Sequence, residues 1–106
     1  MSKKDLETEL EEEILTRERT QAVEPKMYRV LLLNDHYTTM EFVVYILETV
    51  FKKQPEEARR VMMNVHEQGT GTAGVFTKEI AETKVTIVHH LARQSEYPLR
   101  CEIEPV

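Results

Sequence analysis

The chain has 106 residues, 41% of them hydrophobic and 31% charged, which is typical of one small globular domain. The formal net charge is −5 and basic residues cluster no further than pairs, so nucleic-acid binding is disfavoured. We expect no membrane anchor, since the longest apolar run is far below the roughly 20 residues that cross a bilayer. We also expect no secretory signal. Cys101 is the single cysteine, which excludes an internal disulfide and agrees with a cytoplasmic location.

Charge divides the chain at Pro25. Residues 1–24 hold eight acids and four bases, a net of −4, whereas residues 25–106 hold eleven acids and ten bases, a net of −1. The first segment has no aromatic residue and few apolar ones, so it has little to bury. We therefore expect a flexible acidic N-terminal extension over 1–24 and a core domain over 25–106. A marginal acidic helix over residues 6–20 is the alternative.

The core domain opens with an apolar run, Tyr28–Leu33, that predicts a central strand. Thr38 stands three residues before Glu41, a spacing that predicts a capping box at the start of the first helix, with Tyr37 and Phe42 as the hydrophobic staple. We expect this helix to end near Lys52 and Lys53, which would complement its negative end.

Pro55 predicts the start of a second helix, with Gly69 just past its end. The following stretch, 71–76, predicts a second strand. Thr77 is expected to cap a third helix, and the alternating residues 99–104 predict a half-exposed last strand. The order β-α-α-β-α-β, with the helices on one face of the sheet, indicates an α+β sandwich.

Most catalytic and metal sites find no support in the sequence. Zinc would need several ligands at metal spacing, but His89 and His90 are adjacent and diverge by about 100° on a helix, so we assign both to a solvated face. The lone thiol of Cys101 alternates with core residues and is assigned to packing. The segment GTGTAG lacks the lysine and spacing of a P-loop. Asp35 and His66 could form an acid–base pair, but no nucleophile accompanies them.

A ligand pocket is better supported. Hydrogen-bond acceptors on Asn34, Asp35 and His66 would stand beside a cavity walled by apolar side chains of the first two helices: Met40, Val43, Met62 and Val65. Such a pocket suits an apolar side chain next to an ammonium group, because carboxylate, amide oxygen and neutral imidazole all accept hydrogen bonds from the cation. Methionine adapts to flat rings and to branched aliphatics alike.

Four segments together resemble the ClpS adaptor family of bacteria: MYRVLLLNDHYTTMEFVVYILETVF, VMMNVHEQGTG, GVFTKEIAETK and YPLRCEIE. The resemblance runs from about residue 25 to residue 104. It implies a three-stranded antiparallel sheet with three helices on one face, similar to the C-terminal domain of ribosomal protein L7/L12. It also implies an N-end-rule adaptor with no catalysis and no cofactor. Such an adaptor binds proteins that begin with Leu, Phe, Tyr or Trp and delivers them to a ClpA-type AAA+ unfoldase for degradation by ClpP.

The resemblance also implies residue roles. The α-amino group would be bound by four residues: Asn34, Asp35, His36 and His66. The side-chain pocket would be lined by Thr38, Met40, Val43, Met62, Val65 and Leu99, with Met40 as a gate that excludes β-branched residues. Docking on the unfoldase would use Glu79, Thr83 and Lys84.

The chain departs from the family pattern at two positions. His36 stands where the family commonly has a second Asp, and a protonated imidazole would repel a ligand cation. Thr39 stands where the family often has Pro. Because threonine restricts the backbone less than proline does, we expect the loop before the helix to be less constrained. We therefore expect the same ligand class with weaker or more pH-sensitive binding.

Three functions are compatible with the sequence. The first is the adaptor, expected to be a monomer that contacts substrate proteins and an unfoldase of ClpA or ClpC type, with no nucleic acid and no membrane. The second is a general protein-docking domain of the same fold that recognises no terminus. The third is a small hydrolase. The sequence does not rank Leu, Phe, Tyr and Trp as ligands, and the part that residues 1–24 play in delivery follows from the resemblance alone.

Overall fold

The computed structural model describes residues 8–12 and 25–106. Its elements are β1 Met27–Leu33, α1 Met40–Thr49, α2 Pro55–Gln68, β2 Thr70–Thr77, α3 Lys78–Gln94 and β3 Arg100–Pro105. This confirms the predicted order and the α+β class. Residues 8–12 are helical and exposed, and the rest of the predicted N-terminal extension lies outside the described residues. No helix in the described ranges has the length and apolar character to cross a membrane.

The central strand of the sheet is β1. The sheet has the order β2-β1-β3 and both pairings are antiparallel. Leu32 lies opposite Gly71 on one side and Cys101 on the other. Val30 and Leu32 are fully buried, because side chains of a strand alternate and this set faces the helices. A register shift between Val30 and Leu31 marks a bulge against β2.

Helix α2 packs closely on β2 at Gly71. A Cβ atom there would lie 2.7 Å from Val65 Cγ2 and 3.0 Å from the carbonyl oxygen of Val61. No larger residue fits without moving the helix. This close approach brings the last turn of α2 beside the end of β1, where the side chains of the candidate site lie. Gly69 ends α2 in the left-handed conformation at φ 90°, as its position predicted.

The start of α1 differs from the capping box that the sequence predicts. The N-cap is Thr39, whose hydroxyl oxygen accepts the Phe42 N–H at 3.1 Å. Thr38 cannot cap the helix because its hydroxyl donates to the carboxylate of Asp35. The predicted staple is also wrong, since Tyr37 is 79% exposed.

The end of α1 is three residues earlier than predicted. The helix ends at Thr49, and Lys52 lies beyond it with a positive φ of 56°. The cation at this helix end comes from α3, where Lys84 Nζ donates to the Val50 carbonyl at 2.8 Å. A lysine distant in sequence therefore does what Lys52 and Lys53 were expected to do.

The expectation that His89 lies on a solvated face is wrong. This residue is half-buried, and its Nε2 accepts the backbone N–H of Cys101 at 3.1 Å. Burial, followed by the positive charges of Arg100 and Arg93, lowers the pKa of His89. Cys101 itself is 5% exposed, as the packing assignment predicted, and burial raises its pKa to about 12. His90 is exposed as expected.

The contact between His89 and β3 predicts a pH-dependent stability. The lowered pKa means that the unfolded chain takes up a proton more readily than the folded chain, so His89 costs stability as pH falls below its ordinary value of 6.5. In His89→Gln the amide oxygen can still accept the Cys101 N–H but does not titrate. We expect the variant to match the wild type at pH 7 and to melt a few degrees higher at about pH 5.

Thermal unfolding followed by circular dichroism measures this difference. The control is His90→Gln, which replaces the neighbouring exposed imidazole and should keep the wild-type pH dependence. A His89→Gln variant whose melting temperature falls with pH as steeply as that of the wild type would contradict the assignment.

Candidate functional site

A cavity of about 470 Å³ lies where the end of β1, the start of α1 and the last turns of α2 meet. Its lining consists of Asn34, Asp35, His36, Tyr37, Thr38, Thr39, Met40, Glu41, Val43, Met62, Val65 and His66. We call it the loop cavity, after the segment 34–39 that forms its mouth. The volume falls within the range of small-ligand sites.

The structure brings together nearly all the predicted binding residues. The four residues predicted to bind an amine and five of the six predicted for the side-chain pocket line the loop cavity. Leu99 is the exception: it is 3% exposed and lines a different cavity beside α3.

Asp35 organises the mouth of the loop cavity. Its Oδ1 accepts the backbone N–H groups of Tyr37 at 2.8 Å and Thr38 at 2.7 Å, and its Oδ2 accepts the Thr38 hydroxyl at 2.6 Å. These bonds fold the segment after β1 into a tight Asx-type turn. A carboxylate has about four acceptor positions. Three are occupied by the loop, so Asp35 offers a ligand its charge and about one direct hydrogen bond.

The same contacts control the ionisation of Asp35. Burial alone would raise the pKa of the carboxyl group, but the hydrogen bonds from Thr38 and Tyr37 and the charge of His36 lower it by more. The pKa therefore lies below its ordinary value of 3.8, and a negative charge stands at the mouth of the cavity at neutral pH.

Thr39 connects the mouth to the rest of the fold. Besides capping α1, its hydroxyl lies 3.4 Å from the hydroxyl of Tyr97. The Tyr97 ring in turn packs on Phe42, with ring centroids 4.7 Å apart. The hydrogen bonds of the Thr39 side chain therefore constrain the start of α1.

The polar rim joins two elements. The backbone N–H of Asn34 donates to the Gly69 carbonyl at 2.9 Å, which ties the end of β1 to the end of α2. His66 lies in the last turn of that helix. The rim therefore brings an amide oxygen and an imidazole to the same opening, and both side chains belong to exposed residues.

The inner wall of the loop cavity is apolar. Val43 and Val65 are 6% and 2% exposed and form its base, with the half-buried Met62 beside them. Met40 is 40% exposed at the first position of α1, next to the mouth. The cavity thus has acceptors at its entrance and hydrocarbon and thioether surface inside.

Three lining residues were not assigned to the site from the sequence: Tyr37, Thr39 and Glu41. The sequence predicts only local roles for Tyr37 and Glu41, in the staple and the capping box at the start of the helix. Because Thr39 is the N-cap, Glu41 has no part in a capping box. It is the second acidic residue in the lining of the cavity. Two acids on one opening favour a cationic ligand. The signal available in the sequence was the proximity of Glu41 to Met40.

The three residues predicted to dock on an unfoldase lie on α3, away from the loop cavity. Glu79 and Thr83 are exposed, and the Thr83 hydroxyl donates to the Glu79 carbonyl at 3.0 Å. Lys84 is half-buried, donates to Val50 and lies 5.7 Å from the centre of the Phe76 ring. Its charge is therefore engaged within the fold.

Groups of three or more metal-binding side chains do not occur within residues 8–12 and 25–106. The fold and the cavity define a small α+β domain with a ligand-sized pocket that is acidic at its mouth and apolar inside. The family model for the "ATP-dependent Clp protease adaptor protein ClpS" matches residues 23–102. The chain belongs to the ClpS family of Clp protease adaptor proteins.

Individual relatives agree with this assignment. The ClpS adapter of Nitratidesulfovibrio vulgaris is 61% identical over 83 residues, which cover 78% of this chain and 83% of the relative. The ClpS adapter of Lawsonia intracellularis is 52% identical over 101 residues, or 95% and 91% of the two chains. A solved structure of Agrobacterium tumefaciens ClpS2 bound to L-phenylalaninamide is also similar, with a TM-score of 0.75 and 41% identity. The match covers 78% of this chain and all of that one.

Asp35→Asn tests the role of the Asp35 hydrogen bonds. The variant keeps one carbonyl acceptor but loses the charge and the second acceptor oxygen. We expect a loss of roughly 1–2 kcal/mol in the free energy of unfolding at pH 7. Because the pKa of Asp35 is lowered, its contribution is present above the ordinary value of 3.8 and is lost as pH falls below it.

Urea unfolding of both proteins at pH 7 and at about pH 2.5 measures this contribution. The control is Glu102→Gln, which removes an exposed carboxylate that makes no side-chain hydrogen bond within the described residues. Equal stability of wild type and Asp35→Asn at pH 7, or a difference that persists undiminished in acid, would refute the role.

Proposed function

We propose that this chain binds the N-terminal residue of substrate proteins that begin with Leu, Phe, Tyr or Trp. It then delivers these proteins to an AAA+ unfoldase of ClpA or ClpC type, which feeds the ClpP peptidase. The observation that carries the proposal is the loop cavity, where acceptors surround the mouth and valine and methionine line the interior. A free N-terminus followed by an apolar side chain has the complementary chemistry.

The ligand of the related ClpS2 structure supports this reading. L-phenylalaninamide has a free α-amino group, an aromatic side chain and an amide in place of the next peptide bond. It therefore has the shape of an N-terminal phenylalanine at the start of a chain. The ammonium group would lie among Asn34, His66 and His36 within the field of Asp35, and the ring would enter between Met40 and Met62.

Glu79 and Thr83 are the better supported candidates for contact with the unfoldase, because both are exposed on one turn of α3. Lys84 would act indirectly, by holding the end of α1 through its hydrogen bond to the carbonyl of Val50, the C-cap residue of that helix. We further propose that the protein acts by binding alone and breaks no bond. A general docking domain would share the fold but would not depend on a free amine.

Peptide binding separates these functions. We expect peptides that begin with Leu or Phe to bind when the amine is free and to bind at least tenfold more weakly when it is acetylated, because acetylation removes charge-assisted hydrogen bonds. An Ile-starting peptide should bind about tenfold more weakly than the Leu-starting one, because we propose that Met40 is a gate that excludes side chains branched at Cβ. Isothermal titration calorimetry measures the affinities, and mass spectrometry shows whether the peptide keeps its full length during the titration.

Two results would count against the proposal. Equal binding of free and acetylated peptides would favour the general docking domain. Shortening of the peptide during the titration would show that the chain is an enzyme.

His36 should make binding pH-dependent. Histidine changes charge between about pH 5 and 8, and a positive imidazole at the mouth opposes an ammonium ligand. We expect His36→Asp to bind a Phe-starting peptide about tenfold more tightly than the wild type at pH 5.5 and only a few-fold more tightly at pH 8. His90→Asp makes the same change on α3, outside the loop cavity, and should alter neither value. Equal affinities of wild type and His36→Asp at every pH would remove His36 from the site.

A further inference from the structure

A second cavity, of about 390 Å³, lies between the last turns of α3 and the segment that leads into β3. We call it the basic groove and define it by Arg93, Arg100, His89 and Tyr97. The buried side chains of Ala92 and Leu99 also line it. The groove thus combines a small apolar surface with a basic border.

The charge of the groove contrasts with that of the chain. Every lining residue that is charged or protonatable near neutral pH is basic, although the whole chain has a net charge of −5. Both arginines are exposed, and neither forms an ion pair with any residue of the described ranges. The charges of Arg100 and Arg93 both lower the pKa of His89, which shows that they act on the same space.

The groups present suit a carboxylate. The Nε–H of Arg93 donates to the His89 carbonyl at 3.4 Å, so its two terminal NH₂ groups remain available to donate to a ligand. Arg100 makes no side-chain hydrogen bond within the described residues. Guanidinium groups pair with carboxylates through two parallel hydrogen bonds. The acidic side chains of Glu96 and Glu102 are close in sequence but do not line the groove.

The basic groove and the loop cavity share a wall. Thr39 lines the loop cavity and Tyr97 lines the groove, and their hydroxyl oxygens are 3.4 Å apart. The wall is therefore about one pair of side chains thick. An extended chain advances about 3.3 Å per residue, so a few residues beyond the first are enough to cross it.

We propose that the basic groove binds an acidic side chain of the substrate, located a few residues after the N-terminal residue that occupies the loop cavity. This inference rests on the proposed function and extends it to the part of the substrate that follows the first residue. Substrates with Asp or Glu at the matching position are bound more tightly than substrates with Asn or Gln there.

A series of peptides with one acidic residue at successive positions tests the proposal. The reference peptide begins with Phe and has no charged side chain. Each peptide of the series carries a single Asp at one position from 2 to 8. Each is compared with a peptide that has Asn at the same position. We expect Asp at one or two adjacent positions to raise the affinity roughly three- to tenfold over Asn, as measured by calorimetry at low salt. The gain should vanish in the double variant Arg93→Gln/Arg100→Gln.

The control variant is Arg59→Gln, which removes an exposed arginine from α2, outside the groove, and should keep the gain. No gain at any position, or a gain that survives in the double variant, would overturn the proposal. The uncharged reference peptide, with free and with acetylated amine, reports on the loop cavity separately. If the reference peptide binds only with a free amine and Asp adds no affinity at any position, the adaptor function stands and the role of the basic groove is rejected. Failure of the reference peptide to bind would reject both.

Discussion

The candidate site depends on the hydrogen bonds that the Asp35 carboxylate accepts from the loop that follows it. Two backbone N–H groups and one hydroxyl converge on this carboxylate within a span of four residues. This arrangement turns the chain sharply after β1 and directs Asn34 and His36 to one opening. It also keeps a negative charge at that opening, because the same donors lower the pKa of Asp35. The residue that shapes the mouth therefore also gives it a negative charge, which favours a cationic ligand.

The turn works because both of its ends are fixed by the fold. Before it, the Asn34 N–H is bonded to Gly69, and α2 is pressed against β2 at Gly71, where no Cβ fits. After it, Thr39 caps α1 and meets Tyr97. The two valines at the base of the cavity belong to these two helices, so the rim and the wall are positioned by the same contacts.

Much of this architecture could be predicted from the sequence because it follows from local pattern. Apolar runs, alternation and the positions of Pro55 and Gly69 define the elements, and helical spacing places Met62 and His66 in one column. The cap at Thr39 could not be predicted, because two adjacent threonines compete and only the contact with Asp35 decides between them. The bond from Cys101 to His89 and that from Lys84 to Val50 join residues far apart in the chain or on different elements. Such contacts have no local signature, and the basic groove depends on the same kind of tertiary proximity.

We propose that the loop cavity binds a free α-amine attached to an apolar side chain. Amide chemical shifts of the isotopically labelled protein, followed during titration with L-phenylalaninamide and then with its N-acetyl derivative, test it most directly. We expect shifts concentrated in residues 34–43 and 62–66 with the free amine and little change with the acetylated compound. Equal shifts with both compounds, or shifts centred on another part of the fold, would contradict it.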